Sequence, residues 1–329
     1  MHNILVVGGA GYIGSHMVKY LGNKDCSITV LDNLSSGHRD AVLAGKLIVG
    51  DLANIGFLDK IFSDNKFDVV MHFASSIIVS ESVKDPSSYY RNNVSNTLNL
   101  LDVMVSHGVK QFIFSSTAAI FGIPLYTPID EKHPKAPINP YGRSKLMVEQ
   151  ILEDYDHAYG LKSVCLRYFN AAGAVPEGEI GELHDPETHL IPLVLQAASG
   201  KRSDITVFGS DYDTQDGTCI RDYIHVNDLC DAHWKAIQYL IKHNQSQSFN
   251  LGNGRGFSVQ QVIDVCREIT GKVIRVIEAG RREGDPDVLV ADSTKAREIL
   301  GWAPEFSDLE TIVNHAWQWE NNYQRKKLG

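Results

Sequence analysis

Residues 4–22 read ILVVGGAGYIGSHMVKYLG. Four apolar residues, Ile4 to Val7, run into a cluster of glycines, after which Ile13, Met17, Val18 and Leu21 recur at helical spacing. A buried strand that feeds a glycine turn and then a helix opens a βαβ unit. Further along, "SITVLD" (27–32) and "KLIVGD" (46–51) read as strands, and "FLDKIFSDN" (57–65) as a helix. The strand "FDVVMHFAS" (67–75), the helix "NNVSNTLNLLDVMVSHG" (92–108) and the strand "QFIFSS" (111–116) continue the alternation. Unbroken Val/Ile/Phe runs are strands buried on both faces, so the expected fold is α/β: a doubly wound, Rossmann-type parallel sheet with right-handed crossovers, carrying a smaller α/β substrate-binding domain. The expected division places residues 1–170 in the first domain, re-entered by about 223–248, and 171–222 with 249–329 in the second.

Ligands of such sheets bind beyond the carboxyl ends of the strands. Those ends carry Gly8 to Gly14, Asp32, Asp51, His72 to Ser75, Ser115 to Thr117 and Arg167 to Gly173. Gly9-x-Gly11-x-x-Gly14 and Gly8-x-x-Gly11-x-x-Gly14 both fit dinucleotide fingerprints, since glycine lets the backbone approach a pyrophosphate and the helix start offers free N–H groups. Asp32 can accept from ribose hydroxyls and repel a 2′-phosphate, which favours NAD over NADP; Arg39 nearby keeps NADP open. Asp51 is a candidate for the adenine amino group or a plain turn acid.

In "NPYGRSK" (139–145), Asn139 suits an N-cap, Pro140 a first helical position, and Gly160 a stop. Tyr141 and Lys145, four apart, share one helix face. A phenol with a pKa of ~10 is a weak base, but a nearby ammonium and a bound nicotinamide cation favour the phenolate. With Thr117 at a strand end to bridge the substrate oxygen, the three form a constellation for taking a proton from an alcohol.

Bulk composition narrows the classes. The chain has 329 residues, 43% hydrophobic and 22% charged, with a net charge of -9 and a pI near 5.8. That size can bury a core without staples, and an acidic, mixed surface disfavours nucleic acid or an anionic membrane as partner. The five cysteines are odd in number, none in Cys-x-x-Cys spacing, and read as reduced thiols of a cytoplasmic enzyme with no metal. No signal peptide and no membrane span are expected.

The blocks "GGAGYIGSH", "FSST…FG", "PYGRSK", "RYFNAAGA", "VFGSDYDTQDGTCIRDYIHV", "FNLGNG" and "RREGDP" resemble the extended short-chain dehydrogenase/reductase family, most closely its UDP-glucose 4-epimerases, over essentially the whole chain. The resemblance implies tightly held NAD, a UDP-sugar substrate, and epimerisation of UDP-glucose and UDP-galactose through a 4-keto sugar. Tyr141 would be the base, Thr117 its partner and Lys145 a contact to cofactor and phenolate. Gly8, Gly11, Tyr12, Ile13, Gly14, Asp32, Asn33, Asp51, Leu52, Phe73, Ala74, Ser115 and Tyr168 would complete the cofactor site. Asn170, Arg221 and Arg282 would bind the diphosphate, Phe208 the uracil and Asp285 the ribose, with His189, Leu190 and Tyr223 along the nucleotide. Two guanidinium groups suit a dianionic diphosphate on physical grounds as well.

Two positions depart from the family pattern. Ile77 stands where many relatives have a lysine at the cofactor, and Leu289 stands at a sugar-pocket position elsewhere held by Tyr or Cys. Leu289 leaves acceptance of UDP-GlcNAc and UDP-GalNAc open. A 4,6-dehydratase would need an Asp-Glu pair after the strand-end hydroxyl, but Ala118-Ala119 follows Thr117. A UDP-glucuronate 4-epimerase or a non-catalytic NAD-binding regulator remain the alternatives. By resemblance a homodimer is expected, with the helices of 92–108 and after Tyr141 as candidate seams.

Overall fold

The structure, a computed structural model, describes residues 1–282 and 284–328, the last four of these by backbone alone. Thirteen strands are described: β1 (His2–Val7), β2 (Cys26–Asp32), β3 (Lys46–Val49), β4 (Val69–His72), β5 (Gln111–Thr117), β6 (Lys162–Tyr168), β7 (Asn170–Ala172), β8 (Ile205–Phe208), β9 (Ile220–His225), β10 (Gln247–Leu251), β11 (Gly256–Ser258), β12 (Val276–Ala279) and β13 (Val288–Leu289). The helices are α1 (Tyr12–Leu21), α2 (Ile55–Asp64), α3 (Val79–Lys84), α4 (Pro86–Tyr90), α5 (Asn96–Ser106), α6 (Pro140–Tyr159), α7 (Leu190–Ala198), α8 (Val226–His243), α9 (Val259–Thr270), α10 (Thr294–Leu300) and α11 (Leu309–Leu328).

Seven strands form one sheet in the order β10-β6-β5-β4-β1-β2-β3, every pairing parallel. The doubly wound Rossmann-type fold is therefore as expected. The order reverses between β1 and β4, and this switch point opens the crevice above their carboxyl ends. Ile4, Val6, Met17, Val30 and Ile237 share one core on the α1/α8 face of the sheet, while Leu5, Val7, Leu58, Leu101 and Val148 share another on the α2/α5/α6 face. Alternate residues of β1 thus enter opposite cores, which is why that strand is apolar throughout.

A second unit packs α7, α9 and α11 with β8 and β9 around Val194, Ile205, Ile263 and Ile312. Its strands form a small sheet, β11-β9-β13 with β7 beside β9, and a separate β12-β8 pair. The residues expected in this unit from 249 onward do not all lie there. Phe249 and Leu251 of β10 extend the large sheet, and Ala296 and Trp302, in and just after α10, join the α1/α8 core. The Trp302 indole donates to the Asp228 carbonyl at 3.0 Å, which ties this segment to α8.

Two local readings change. The helix read over 92–108 begins as a π-helical turn at Arg91–Ser95, where buried Asn93 gives its side chain to Ser76 and Ser144 rather than to packing. The sequence suggests an Asn227/Asp228 cap for α8, but the cap is His225, whose Nδ1 accepts from the Asn227 N–H at 3.0 Å, while Asp228 accepts from the N–H groups of Glu305 and Phe306. No helix among the described residues is long and apolar enough to cross a membrane.

Candidate active site

The glycine turn is shaped by close approach. Gly8 has φ +76° and its Cα faces the backbone of Ala74, where a Cβ would come within 2.4 Å of the Ala74 nitrogen. A Cβ on Gly14 would come within 2.1 Å of the Gly8 carbonyl oxygen, so α1 can sit this tightly on the turn only with glycine there. Gly11 caps α1 without any side-chain bond, which leaves the first N–H groups at Tyr12, Ile13 and Gly14 aimed into the crevice for an anion.

Asp32, nearly buried at the end of β2, accepts from the Ala10 N–H at 2.9 Å through one oxygen and from the Leu34 N–H at 2.8 Å through the other. Each oxygen retains a lone pair for ribose hydroxyls. Beside it the Asn33 amide donates to Asp51 at 2.7 Å, and Leu52 is buried behind. Phe73 and Ala74 follow β4, with Phe73 packed on the His233 ring at 4.9 Å. Ile77 is 37% exposed at the rim. These residues fit a dinucleotide: a side-chain-free turn, an uncapped helix start and a carboxylate with spare acceptors.

Thr117 ends β5, and Tyr141 and Lys145 rise from the first turns of α6. That helix starts where the sequence places it: the Asn139 side chain accepts from the Gly142 N–H at 2.8 Å, and Gly160 closes it at φ +66°. The Thr117 hydroxyl, which accepts from the Ala119 N–H at 3.1 Å, stands close enough to the Tyr141 phenol to act on its pKa. Burial pushes the Tyr141 phenol above its ordinary pKa, and the nearby Thr117 hydroxyl pulls it back only in part.

Lys145 departs from expectation. Its ammonium donates to Ser75 Oγ and to the Ser115 carbonyl, each at 2.7 Å, and no hydrogen bond among the described residues links it to Tyr141. Burial pulls its pKa down to about 7, against the opposing charge of Glu149. Tyr168 donates to Ser115 Oγ, so Ser115 joins β5, β6 and α6 beneath the crevice. The sequence placed Ser75 at a strand end without giving it a role.

The sequence places Ser116 and Arg167 at strand ends, but not the platform that they form with Glu149. Arg167 donates to both oxygens of Glu149 at 2.9 and 2.7 Å, and the Ser116 hydroxyl donates to Glu149 at 2.6 Å. Arg167 and Glu149 are each 2% exposed. Glu149 follows Lys145 by four residues on the buried stripe of α6, next to Val148 and Leu152; a carboxylate on an apolar stripe was the available signal.

Across the crevice, the Arg282 guanidinium lies over the Phe208 ring at 3.8 Å. Arg221 donates to the carbonyls of Ile220 and Pro286, both at 2.9 Å, and sits 3.4 Å from Asp285. Leu289 pairs with Arg221 across β13 and β9 and packs on Ala118, Ile120 and Phe121, directly after Thr117. The Asn170 amide donates to the Asp222 carbonyl at 3.0 Å, and Tyr223 is buried on β9. His189 turns its imidazole away to Glu182 and Glu187, at 2.8 and 2.9 Å, while Leu190 opens α7. Asp222, unnoticed in the sequence, is fully buried and accepts from the N–H groups of Asn253, Gly254 and Ala291; burial still raises its pKa to about 6.

The profile of the NAD dependent epimerase/dehydratase family matches residues 4–252. The UDP-glucose 4-epimerase of Halalkalibacterium halodurans is 53% identical over 320 residues, 97% of this chain and 96% of that protein. The crystal structure of UDP-glucose 4-epimerase from Brucella ovis in complex with NAD superposes with a TM-score of 0.94 at 47% identity, covering 96% of this chain and 98% of that one. The UDP-Glc/GlcNAc 4-epimerase of Campylobacter jejuni superposes at 0.87 with 45% identity, covering 98% of this chain and 100% of that one.

Proposed function

The chain belongs to the NAD-dependent epimerase/dehydratase family, and from that premise we propose that it interconverts UDP-glucose and UDP-galactose between the Tyr141 platform and the Arg221–Arg282 wall. The nearness of Tyr141 and Thr117 at the strand-end crevice carries this reading, because it lets a phenolic oxygen and a hydroxyl meet one substrate oxygen. Bound NAD would supply the hydride acceptor and donor for C4 of the sugar, held by the glycine turn and Asp32. Tyr141 takes the 4-hydroxyl proton and gives it back to the C4 oxygen after the 4-keto sugar has turned and its other face has received the hydride. Thr117 holds the reacting oxygen. The Lys145 ammonium, fixed by Ser75 and Ser115, is left one donor for the nicotinamide ribose.

Arg221, Arg282 and Asn170 would hold the diphosphate while the sugar turns, with Phe208 under the uracil and Asp285 and Tyr223 along the nucleotide. His189 and Leu190 would contribute through their backbone, since the His189 imidazole is engaged with carboxylates. Anchoring at the nucleotide leaves the hexose free to present either face. Residues 1–170 with 223–251 and α10 would form the NAD-binding unit. We read the protein as a cytoplasmic homodimer that pairs through α5 and α6; Met147 and Tyr159 on α6 are 41% and 50% exposed, which suits such a seam.

The same pocket would also turn over N-acetylated UDP-hexoses. Leu289 is the observation that favours this: it lines the wall after Thr117 with a compact side chain and no ring. The Campylobacter jejuni relative carries both activities in its name. The test sets UDP-galactose and UDP-N-acetylgalactosamine before the wild type and Leu289→Tyr. The wild type is expected to convert both, and Leu289→Tyr to lose roughly 10–200-fold in kcat/KM on the N-acetyl sugar while keeping UDP-galactose within a few-fold. No conversion of UDP-N-acetylgalactosamine by the wild type at saturation removes the second activity. No conversion of UDP-galactose removes the first.

A further inference from the structure

The segment "GELHDPETH" (181–189), between β7 and α7, repeats a Glu-x-His pair: Glu182 with His184, and Glu187 with His189. Folding brings all four together. His189 Nδ1 lies 2.8 Å from Glu182 Oε1 and 2.9 Å from Glu187 Oε1; His184 Nδ1 lies 3.3 Å from Glu182 Oε1 and 3.6 Å from Glu187 Oε2. One ligand atom from each falls within 4.8 Å of every other. The two carboxylates are 5% exposed. Glu182, His184 and Glu187 line a pocket with Gly173, Ile191 and Trp319.

We propose that these four side chains form a closed, structural site for a divalent transition metal such as zinc. Four donors at 2.0–2.2 Å from one zinc stand about 3.3–3.6 Å apart at tetrahedral angles; the His184 spacings match, and the His189 imidazole at 2.8 and 2.9 Å would have to move out by about 0.5 Å. Two imidazole nitrogens and two carboxylates are a zinc donor set, and the carboxylates neutralise the dication. His184 Nδ1 supplies a separate pointer. The atom is buried and faces the carboxylates, yet has no hydrogen bond with them or with any other described group. Its only partners are the two carboxylates, as ion pairs at 3.3 and 3.6 Å, and a metal would bind it directly.

The placement gives the metal something to hold. His184 sits edge-on to Tyr12 at 6.2 Å, and the Tyr12 hydroxyl donates to the Gly173 carbonyl at 2.7 Å. A metal here pins the β7–α7 segment against the start of α1, outside the reacting centre. All four positions are filled by protein, so the site has no open place for a substrate. The sequence reading expected no metal because it searched for cysteine spacing, and this donor set contains none.

The test uses the purified full chain, stripped with chelator and dialysed against zinc, then analysed by mass spectrometry. About one zinc per chain is expected, with a rise in Tm on zinc addition. Single variants His184→Asn and Glu187→Gln should each lose zinc at least 10-fold and lose the Tm rise, with UDP-galactose turnover kept. Cobalt in place of zinc should give the strong visible bands of tetrahedral coordination in the wild type only. Substoichiometric zinc at ~100 µM free metal in folded wild type overturns the proposal, as does equal zinc in wild type and both variants, since the metal then binds elsewhere.

Discussion

Tyr141→Phe is expected to lower kcat for UDP-galactose by about 10²–10⁴-fold while leaving bound NAD in place. The ring still fills its half-buried position on α6, so the loss is of a proton carrier and not of packing. No cation among the described residues lowers the pKa of this phenol. Burial raises its pKa, the nearby Thr117 hydroxyl lowers it only in part, and the Lys145 ammonium is committed to Ser75 and Ser115. The base therefore needs the positive nicotinamide of bound NAD beside it. The check is paired: initial rates, and the NAD released from denatured protein. Turnover within a few-fold of wild type would remove Tyr141 from the chemistry. Loss of NAD together with activity would make it a binding residue.

Glu149→Gln is expected to destabilise the fold by about 3–5 kcal/mol, because it leaves the buried Arg167 guanidinium without its counter-charge. In a chain of 329 residues that is a fall in Tm of about 4–7 °C. Burial alone would raise the Glu149 pKa, but Arg167, Ser116 and Lys135 together hold it below its ordinary 4.5. The carboxylate thus lends stability at pH values above that ordinary pKa, and loses it as pH falls through the lower folded value. Replacing both partners with methionine should recover most of the loss, since no unpaired charge then stays buried. Thermal unfolding of the single and double variants checks this. A single variant that melts with wild type would mean the pair does not hold α6 to β5 and β6.

The alternation of strand and helix from residue 4 to 116 was legible because those strands are buried on both faces and carry no polar alternation to confuse with helix. The glycine turn, Asp32 and the Asn139–Pro140 helix start were legible because each is a local rule, decided within a few residues. What the sequence hid was decided by distant partners. Ser75 meets Lys145 across 70 residues, and Ser116 and Arg167 meet Glu149 from two strands. The return of 294–302 to the first core depends on Trp302 finding α8. The Lys145–Tyr141 stack was a fair inference from four-residue spacing, but a longer reach to buried acceptors governs where the ammonium goes.

The most direct test mixes the purified protein with UDP-galactose, adds no NAD, and follows the anomeric proton signals by NMR. The prediction is that the UDP-glucose signal appears and rises to equilibrium, because the chain carries its NAD and regenerates it in each turnover. Protein with bound NAD that leaves UDP-galactose unchanged would contradict the account, and the UDP-glucuronate reading would then take its place.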